Sequence, residues 1–284
     1  MVIFKKIEDL KSHLSNIKIN GQKTGFIPTM GALHNGHISL VNLAKAEGYF
    51  TVCSIFVNPT QFNDKKDLEK YPVTTSEDIE LLINAGCNVL FLPTVDEIYP
   101  GGEQFMRSFD FGYLDTILEG AHRPGHFKGV GQVVARLLDI VEPTGLFMGQ
   151  KDYQQCMVVK MLLNTGNYPN INMVICPTIR EADGLAMSSR NRRLTQPQRV
   201  ISATIYQCLV SIESKQKTDK FSMVKKQCED LLSAKGFNVE YVALADADNL
   251  TLLDEYEEGR HMVALIAAKI GEIRLIDNLV LKNV

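Results

Sequence analysis

Between residues 24 and 92 the apolar pattern changes period from segment to segment. Phe26 and Ile27 close a short apolar run that breaks at Pro28-Thr29-Met30-Gly31, and Ile38, Val41 and Ala44 then recur at helical spacing. Phe50 to Val57 is an unbroken run of apolar and β-branched residues, as expected of a strand buried on both faces. Ser76 to Gly86 has a helical pattern, with Thr74 or Ser76 as its cap and Gly86 as its stop. Val89 to Leu92 is a third apolar run, closed by Pro93. Strand, helix, strand, helix, strand predicts right-handed crossovers and a doubly wound, Rossmann-like parallel sheet.

The remainder divides in two. A short amphipathic helix is expected over residues 5–15, a polar loop or lid from Asp64 to Tyr71, and a possible strand from Phe105 to Phe111. A Gly/Pro-rich loop (118–127) precedes a helix to Val141, marked by Val130, Val133, Val134, Leu137 and Leu138. Leu146 to Met148 and Asn172 to Cys176 read as further strands. Beyond Pro177 the pattern changes to two helices, from about residue 196 and over 221–234, joined by the polar stretch Glu213 to Asp219. Three strands follow around 239–243, 262–267 and 273–276. The expected domains are residues 1–176, an α/β nucleotide-binding domain, and 177–284, a smaller α+β domain covering the nucleotide.

Composition narrows the function classes. With 284 residues and 45% hydrophobic content the chain can build more than one core. A net charge of −3 gives no basic footprint for nucleic acid. No apolar stretch is long enough to span a bilayer, and the N-terminal segment lacks the apolar core of a signal peptide, so a cytoplasmic location is expected. The six cysteines form neither a CxxC pair nor a Cys/His cluster, which favours buried free thiols over zinc or disulfides. No protein-only metal site is expected.

The polar residues of interest fall at strand ends. His34, Gly36 and His37 stand where the first strand enters its helix, where backbone N–H groups and the positive dipole end favour an anion. Asn58 and Gln61 follow the second strand in Asn-Pro-Thr-Gln, with amides that suit a hydroxylated carboxylate. His126 and Lys128 open the helix before Val141. Gly149-Gln150-Lys151-Asp152 repeats the strand-to-helix entry, with a cation for phosphates and a carboxylate for a ribose or Mg²⁺. From Ile179 to Arg193 two serines and four arginines lie within fifteen residues, a composition that suits gripping phosphates.

His34-Asn35-Gly36-His37 has the form of the HxGH signature of the nucleotidyltransferase superfamily that includes class I aminoacyl-tRNA synthetases. The longer string PTMGALHNGH (28–37), with FVNPTQF (56–62), RPGHF (123–127), KDYQQ (151–155) and READGLAMSSRN (180–191), resembles the pantoate–β-alanine ligase family over nearly the whole chain. Met187-Ser188-Ser189-Arg190 is similar to the KMSKS loop of class I synthetases, which clamps ATP phosphates. One residue departs from the family pattern: Gln150 stands where an acidic residue is usual, and its side chain is expected to point outward.

The resemblance implies an ATP-dependent ligase. Pantoate attacks ATP to give pantoyl adenylate and pyrophosphate, then the amine of β-alanine displaces AMP. It implies ATP with Mg²⁺ and no prosthetic group, small-molecule partners only, and a homodimer. It places Met30, Gly31, Ala32, Leu33, His34, Asn35, Gly36 and His37 along ATP. Gly149, Gln150, Lys151, Asp152, Ile179, Met187, Ser188, Ser189 and Arg190 join them there. His34, His37, Lys151 and Arg190 would act on the phosphates, with His37 either donating a proton or only neutralising charge. Gln61 and Gln155 would hold pantoate, Gln61 also facing β-alanine, with Asn58, Tyr71 and His126 nearby. A nucleotidyltransferase acting on another small acceptor is the competing enzyme, although those chains are usually shorter and lack the VNPTQF and KDYQQ amides. A non-catalytic nucleotide sensor would have no need of two histidines and a Ser-Ser-Arg loop.

Overall fold

The structure is a computed structural model that describes residues 1–62, 68–102, 107–166 and 168–282. Two compact units emerge, one of residues 1–149 with 154–177 and the other of residues 150–153 with 178–284.

In the first unit, six strands form a wholly parallel sheet: β1 (Val2–Phe4), β2 (Thr24–Thr29), β3 (Phe50–Ile55), β4 (Val89–Phe91), β5 (Gly145–Gly149) and β6 (Asn172–Cys176), in the order β1-β4-β3-β2-β5-β6. Succession runs outward one way from β2 through β3 to β4 and the other way from β5 to β6. The order therefore reverses between β2 and β5, which pair through Gly25–Gly145 and Phe26–Leu146. In an open parallel sheet, the carboxyl ends at such a reversal form the crevice for a ligand.

Both faces of the sheet are covered. Ile27, Cys53, Leu90 and Phe147 pack with Leu40, Val41 and Ala44 of α2 (Asn35–Ala46) and Leu82 of α3 (Thr75–Asn84). Phe26, Val52, Val89 and Leu146 alternate to the opposite face and are equally buried. A long helix, His126–Val141, packs against β2, and α1 (Ile7–Ile19) packs against that helix. All six cysteines are free and buried, and burial pushes the Cys53 thiol well up and that of Cys176 to about 11, as inert core thiols require.

The second unit pairs an antiparallel sheet with helices. Strands β7 (Asn238–Asp246), β8 (Leu252–Leu253), β9 (Met262–Ile270) and β10 (Ile273–Val280) lie in the order β10-β9-β7-β8. Helices Thr204–Ser214 and Phe221–Ala234 bury Ile205, Leu209, Ile212, Val224 and Leu232 on that sheet.

Several boundaries differ from the sequence reading. Val2–Phe4 is a strand, too short to show a period, and the first helix runs four residues further, to Ile19. The helix expected from residue 196 is two helices, Gln196–Ser202 and Thr204–Ser214, meeting at Ala203. Four strands replace three, because the two-residue β8 has no periodicity to detect. A bulge at Val239/Tyr241 re-aims β7 so that Val242 and Leu244, not Tyr241 and Ala243, enter the core. Residues 107–111 form no strand, and residues 103–106 of the same stretch lie outside the described residues, as do 63–67 of the expected lid.

Candidate active site

In the first unit the site grows from the carboxyl end of β2. His34 is the N-cap residue of α2, with φ −147° and ψ 175°, and its Nδ1 accepts from the N–H of Gly36 at 3.1 Å. His37, three residues on, returns the bond, since its Nδ1 accepts from the N–H of His34 at 3.3 Å. This is a capping box made of two imidazoles, whose ring centres lie 4.1 Å apart. The protonation state follows from the bonds. A nitrogen that accepts from a backbone N–H carries no proton, so each neutral ring holds its proton on Nε2. The helix start fixes both tautomers and leaves an N–H on the Nε2 of each ring.

The backbone plays a different part from the one expected. The N–H of Gly31 goes to Thr29 Oγ1 at 3.2 Å, and those of Ala32 and Leu33 go to the Asp78 carboxylate at 2.9 and 2.8 Å. His37 and Ile38 donate to the carbonyl of His34 at 2.8 and 3.1 Å. These amides shape the turn that leads into the two histidines. Ala32 and Leu33 are 0% exposed and belong to the core. Met30, Gly36, His34 and His37 are partly accessible, and Asn35 is exposed.

A second cluster sits beside this turn. Asn58, Gln61, Tyr71 and His126 are all buried. The Asn58 amide is consumed internally: Oδ1 accepts from the Tyr99 hydroxyl at 2.7 Å, and Nδ2 donates to the Gly129 carbonyl at 3.2 Å and to Gln61 Oε1 at 3.3 Å. Asn58 thus holds Gln61 through its own amide. Gln61 Nε2 donates to Met30 Sδ at 2.9 Å, which ties the amide to the HNGH loop. His126 Nδ1 must donate to the Gln61 carbonyl at 2.9 Å, because a carbonyl only accepts; its Nε2 therefore accepts from Arg123 Nη1 at 3.0 Å. The Tyr71 ring meets Phe62 edge-on at 5.7 Å. Gln155 is half-buried in the first turn of helix Tyr153–Thr165. Its neighbour Gln154 is structural, bonded to Glu119 N, Leu114 O and Ile117 O at 2.9, 2.8 and 3.0 Å.

The second unit carries the cationic residues. Gln150 to Asp152 form one helical turn held by β10, as Asn278 Nδ2 donates to the carbonyls of Gln150 and Lys151 at 3.0 and 2.8 Å. Gln150 Nε2 donates to Asn278 Oδ1 at 3.2 Å, so this side chain faces the sheet and not solvent as expected. Lys151 Nζ lies 3.3 Å from Asp152 Oδ1, which makes cation and carboxylate one adjacent pair. A narrow hairpin follows, with Arg180 bridged to Ala186 and the Met187 N–H on the Ile179 carbonyl at 3.0 Å, so Ile179 and Met187 are brought together. Ser188 caps the short helix Ser189–Arg193 by accepting from the Arg190 N–H at 3.3 Å. Ser189 is buried and Arg190 is half-buried.

Arg180 is engaged within the second unit. Its guanidinium makes a fork on Asp277 at 2.6 and 3.0 Å, donates to the Gly184 and Asn278 carbonyls at 3.1 Å each, and lies 3.9 Å from the Tyr206 ring centre. Of the four arginines counted in this stretch, it anchors the hairpin. Asp78, Tyr99, Arg123, Asp277 and Asn278 were missed from sequence. Only Asp78 leaves a signal there, as a carboxylate four residues before Leu82 on the apolar stripe of its helix.

Among the described residues, no group of three or more His, Cys, Asp or Glu side chains could hold a metal ion, and no helix is long and apolar enough to cross a membrane.

A parallel sheet with reversed order at β2/β5, and a strand–turn–helix whose first turn presents two histidines, define a nucleotidyltransferase-like α/β protein. The comparisons narrow this class. The sequence model described as Pantoate-beta-alanine ligase matches residues 2–280. Pantothenate synthetase of Cytophaga hutchinsonii is 45% identical over 284 residues, covering 99% of both chains, and that of Porphyromonas gingivalis is 42% identical over 280 residues, covering 98% of this chain and 99% of the relative. The crystal structure of pantothenate synthetase from Thermus thermophilus superposes with a TM-score of 0.90 at 37% identity, over 98% of this chain and 99% of that one. Pantoate-beta-alanine ligase from Francisella tularensis, complexed with beta-gamma ATP and beta-alanine, gives 0.82 at 37% identity over 99% and 97%. The chain belongs to the pantoate–β-alanine ligase family.

Proposed function

We infer that this protein joins (R)-pantoate to β-alanine with ATP, through a pantoyl adenylate. Family membership along the whole chain supports the reaction, and the competing nucleotidyltransferase is not favoured. A carboxylate is a poor acyl donor. Its oxygen attacks the α-phosphorus of ATP, the bond to the β-phosphate oxygen breaks, and pyrophosphate leaves with the electron pair. The β-alanine amine then attacks the acyl carbon, loses a proton, and expels AMP.

Roles for the residues follow from what each can donate. His34 and His37 meet the triphosphate as neutral Nε2–H donors. Turning either into an imidazolium puts a second proton on Nδ1, against the backbone N–H that now caps the helix. His37 therefore stabilises developing phosphate charge in preference to releasing a proton. Lys151 and Arg190 add fixed positive charge, and the Ser188–Ser189 turn presents Arg190. Gln61, buried and braced by Asn58 and His126, orients pantoate and faces the incoming amine, with Gln155 as a second amide and Tyr71 alongside. Asp152 is the carboxylate nearest Lys151, and fits a Mg²⁺ that is bound mainly through ATP phosphates. Domains of 1–176 and 177–284, a homodimer and a cytoplasmic location complete the proposal; light scattering on purified protein tests the dimer.

The reciprocal histidine cap carries the reading. Pyrophosphate release should require pantoate, stop near one equivalent per site without β-alanine, and turn over when β-alanine is added. A folded His37→Ala protein should lose most of that release. ATP binding with no pantoate-dependent release would defeat the ligase reading.

A further inference from the structure

The turn that aims the histidines does not hold itself. Gly31 and Ala32 are consecutive left-handed residues, at φ +79° and +49°, and alanine rarely adopts that conformation unsupported. The support comes from a helix 46 positions further along the chain. Asp78, 1% exposed on α3, accepts from Ala32 N–H through Oδ2 at 2.9 Å and from Leu33 N–H through Oδ1 at 2.8 Å. The Thr74 hydroxyl donates to Oδ1 at 3.0 Å and keeps the carboxylate from rotating. A Cβ built on Gly31 would lie 3.1 Å from Asp78 Oδ2 and 3.0 Å from Ile55 Cγ2, so the carboxylate packs directly against the turn. Leu33 leads into His34, the residue whose extended backbone and Nδ1 begin the histidine cap.

We propose that Asp78 is a positioning residue for the adenylation step: its carboxylate draws the Ala32 and Leu33 amides inward, so that His34 and His37 enter the helix with their Nε2–H groups aimed at the triphosphate. Many phosphate-binding turns point such amides outward at the ligand. Here a buried carboxylate takes two of them, and the anion is left to the imidazoles. An amide cannot do the same work. Asparagine has the same shape but one acceptor oxygen, and its NH₂ would face a backbone N–H. The inference rests on the reading that the two histidines meet ATP.

The test uses Asp78→Asn and Thr74→Val in the full-length protein. One readout is steady-state pyrophosphate release, measured well below each variant's melting temperature. The other is the side-chain ¹⁵N spectrum of the histidines in the free protein, which reports tautomers without any reaction. Asp78→Asn should lower kcat by about ten- to a hundred-fold, the scale of an ångström-sized misplacement. The KM for pantoate should change less than kcat, because Gln61 touches this turn only through Met30 Sδ and is otherwise braced by Asn58 and His126. Signals of His34 and His37 should move from the fixed Nε2–H form toward averaged tautomers. Thr74→Val should shift both readouts the same way but less. A folded Asp78→Asn protein with wild-type kcat and histidine spectrum overturns the proposal. So does an unfolded Asp78→Asn together with a Thr74→Val that matches wild type, since Asp78 would then be structural only. If wild type releases no pyrophosphate, the reaction reading has failed, and the histidine spectra still decide the positioning claim.

Discussion

The side-chain amide of Asn278 is bonded to the main-chain carbonyl of Lys151 at 2.8 Å, across 127 residues of sequence. Its neighbour Asp277 grips Arg180 at the base of the hairpin that leads to Ser188–Arg190. Two adjacent residues of one strand thus fix both cationic segments of the second unit.

Asn278→Ala should show that bracing directly. It removes two bonds to the carbonyls of Gln150 and Lys151 and one from Gln150, leaving part-buried acceptors without this partner at a cost of about 1 kcal/mol. The expected signature is a lowered melting temperature together with a raised KM for ATP, while the KM for pantoate holds. A wild-type KM for ATP in the folded variant would show that Lys151 does not need this anchor.

Capping and anion binding can be separated at His34. Asparagine caps a helix well but has no Nε2–H at imidazole reach, whereas alanine does neither. His34→Asn should therefore melt close to wild type, and His34→Ala about 1 kcal/mol lower. Both should lose about a hundred-fold or more in pyrophosphate release, the usual effect of removing one charge-stabilising donor. Calorimetry beside the kinetic assay reads both numbers.

Gly129 is a packing constraint in the service of Gln61. A Cβ there would meet the Thr60 carbonyl oxygen at 2.5 Å and Gln61 Cα at 2.9 Å, both backbone atoms with little freedom to yield. Gly129→Ala should push the Pro59–Gln61 turn off the long helix, break the 3.2 Å bond from Asn58, and raise the KM for pantoate more than that for ATP. Equal effects on both substrates would mean that the strain spreads through the fold.

Stability in acid should depend on Glu240. Burial alone would raise this carboxyl, but Lys269 at 3.0 Å and Arg274 at 2.7 Å outweigh burial and hold it below its ordinary value of 4.5. A carboxyl whose folded value is depressed stabilises the fold above its unfolded value and loses that contribution as pH falls through the folded one. The melting-temperature gap between wild type and Glu240→Gln should be constant near neutrality and shrink on acidification below about 4.5. A gap that persists unchanged in acid would refute the pairing.

The sheet could be read in advance because its central strands are buried on both faces and its crossover helices are amphipathic; Phe50 to Ile55 announces itself by composition. Strands set by tertiary pairing could not. Val2–Phe4 exists because it lies beside Val89–Phe91, and Leu252–Leu253 because it lies beside β7. The candidate site residues stood out for a related reason, as histidines, amides and a Ser-Ser-Arg turn at strand ends are unusual groupings within a few positions. Their supports were not. Asp78 reaches Leu33 over 45 positions and Asn278 reaches Gln150 over 128, and no local pattern marks such a pair. The backbone amides of the HNGH turn show the limit in miniature: a helix start is legible locally, but the inward bonds of its amides depend on Asp78, more than forty positions away.

The same distances give the site a timetable. A nascent chain that has left the ribosome as far as residue 260 can already pair β2 with β3 and β5 and close the histidine cap. Lys151 and the Arg180 hairpin then still wait for Asp277 and Asn278, so a chain stalled short of β10 would lack the braces of these two cationic segments.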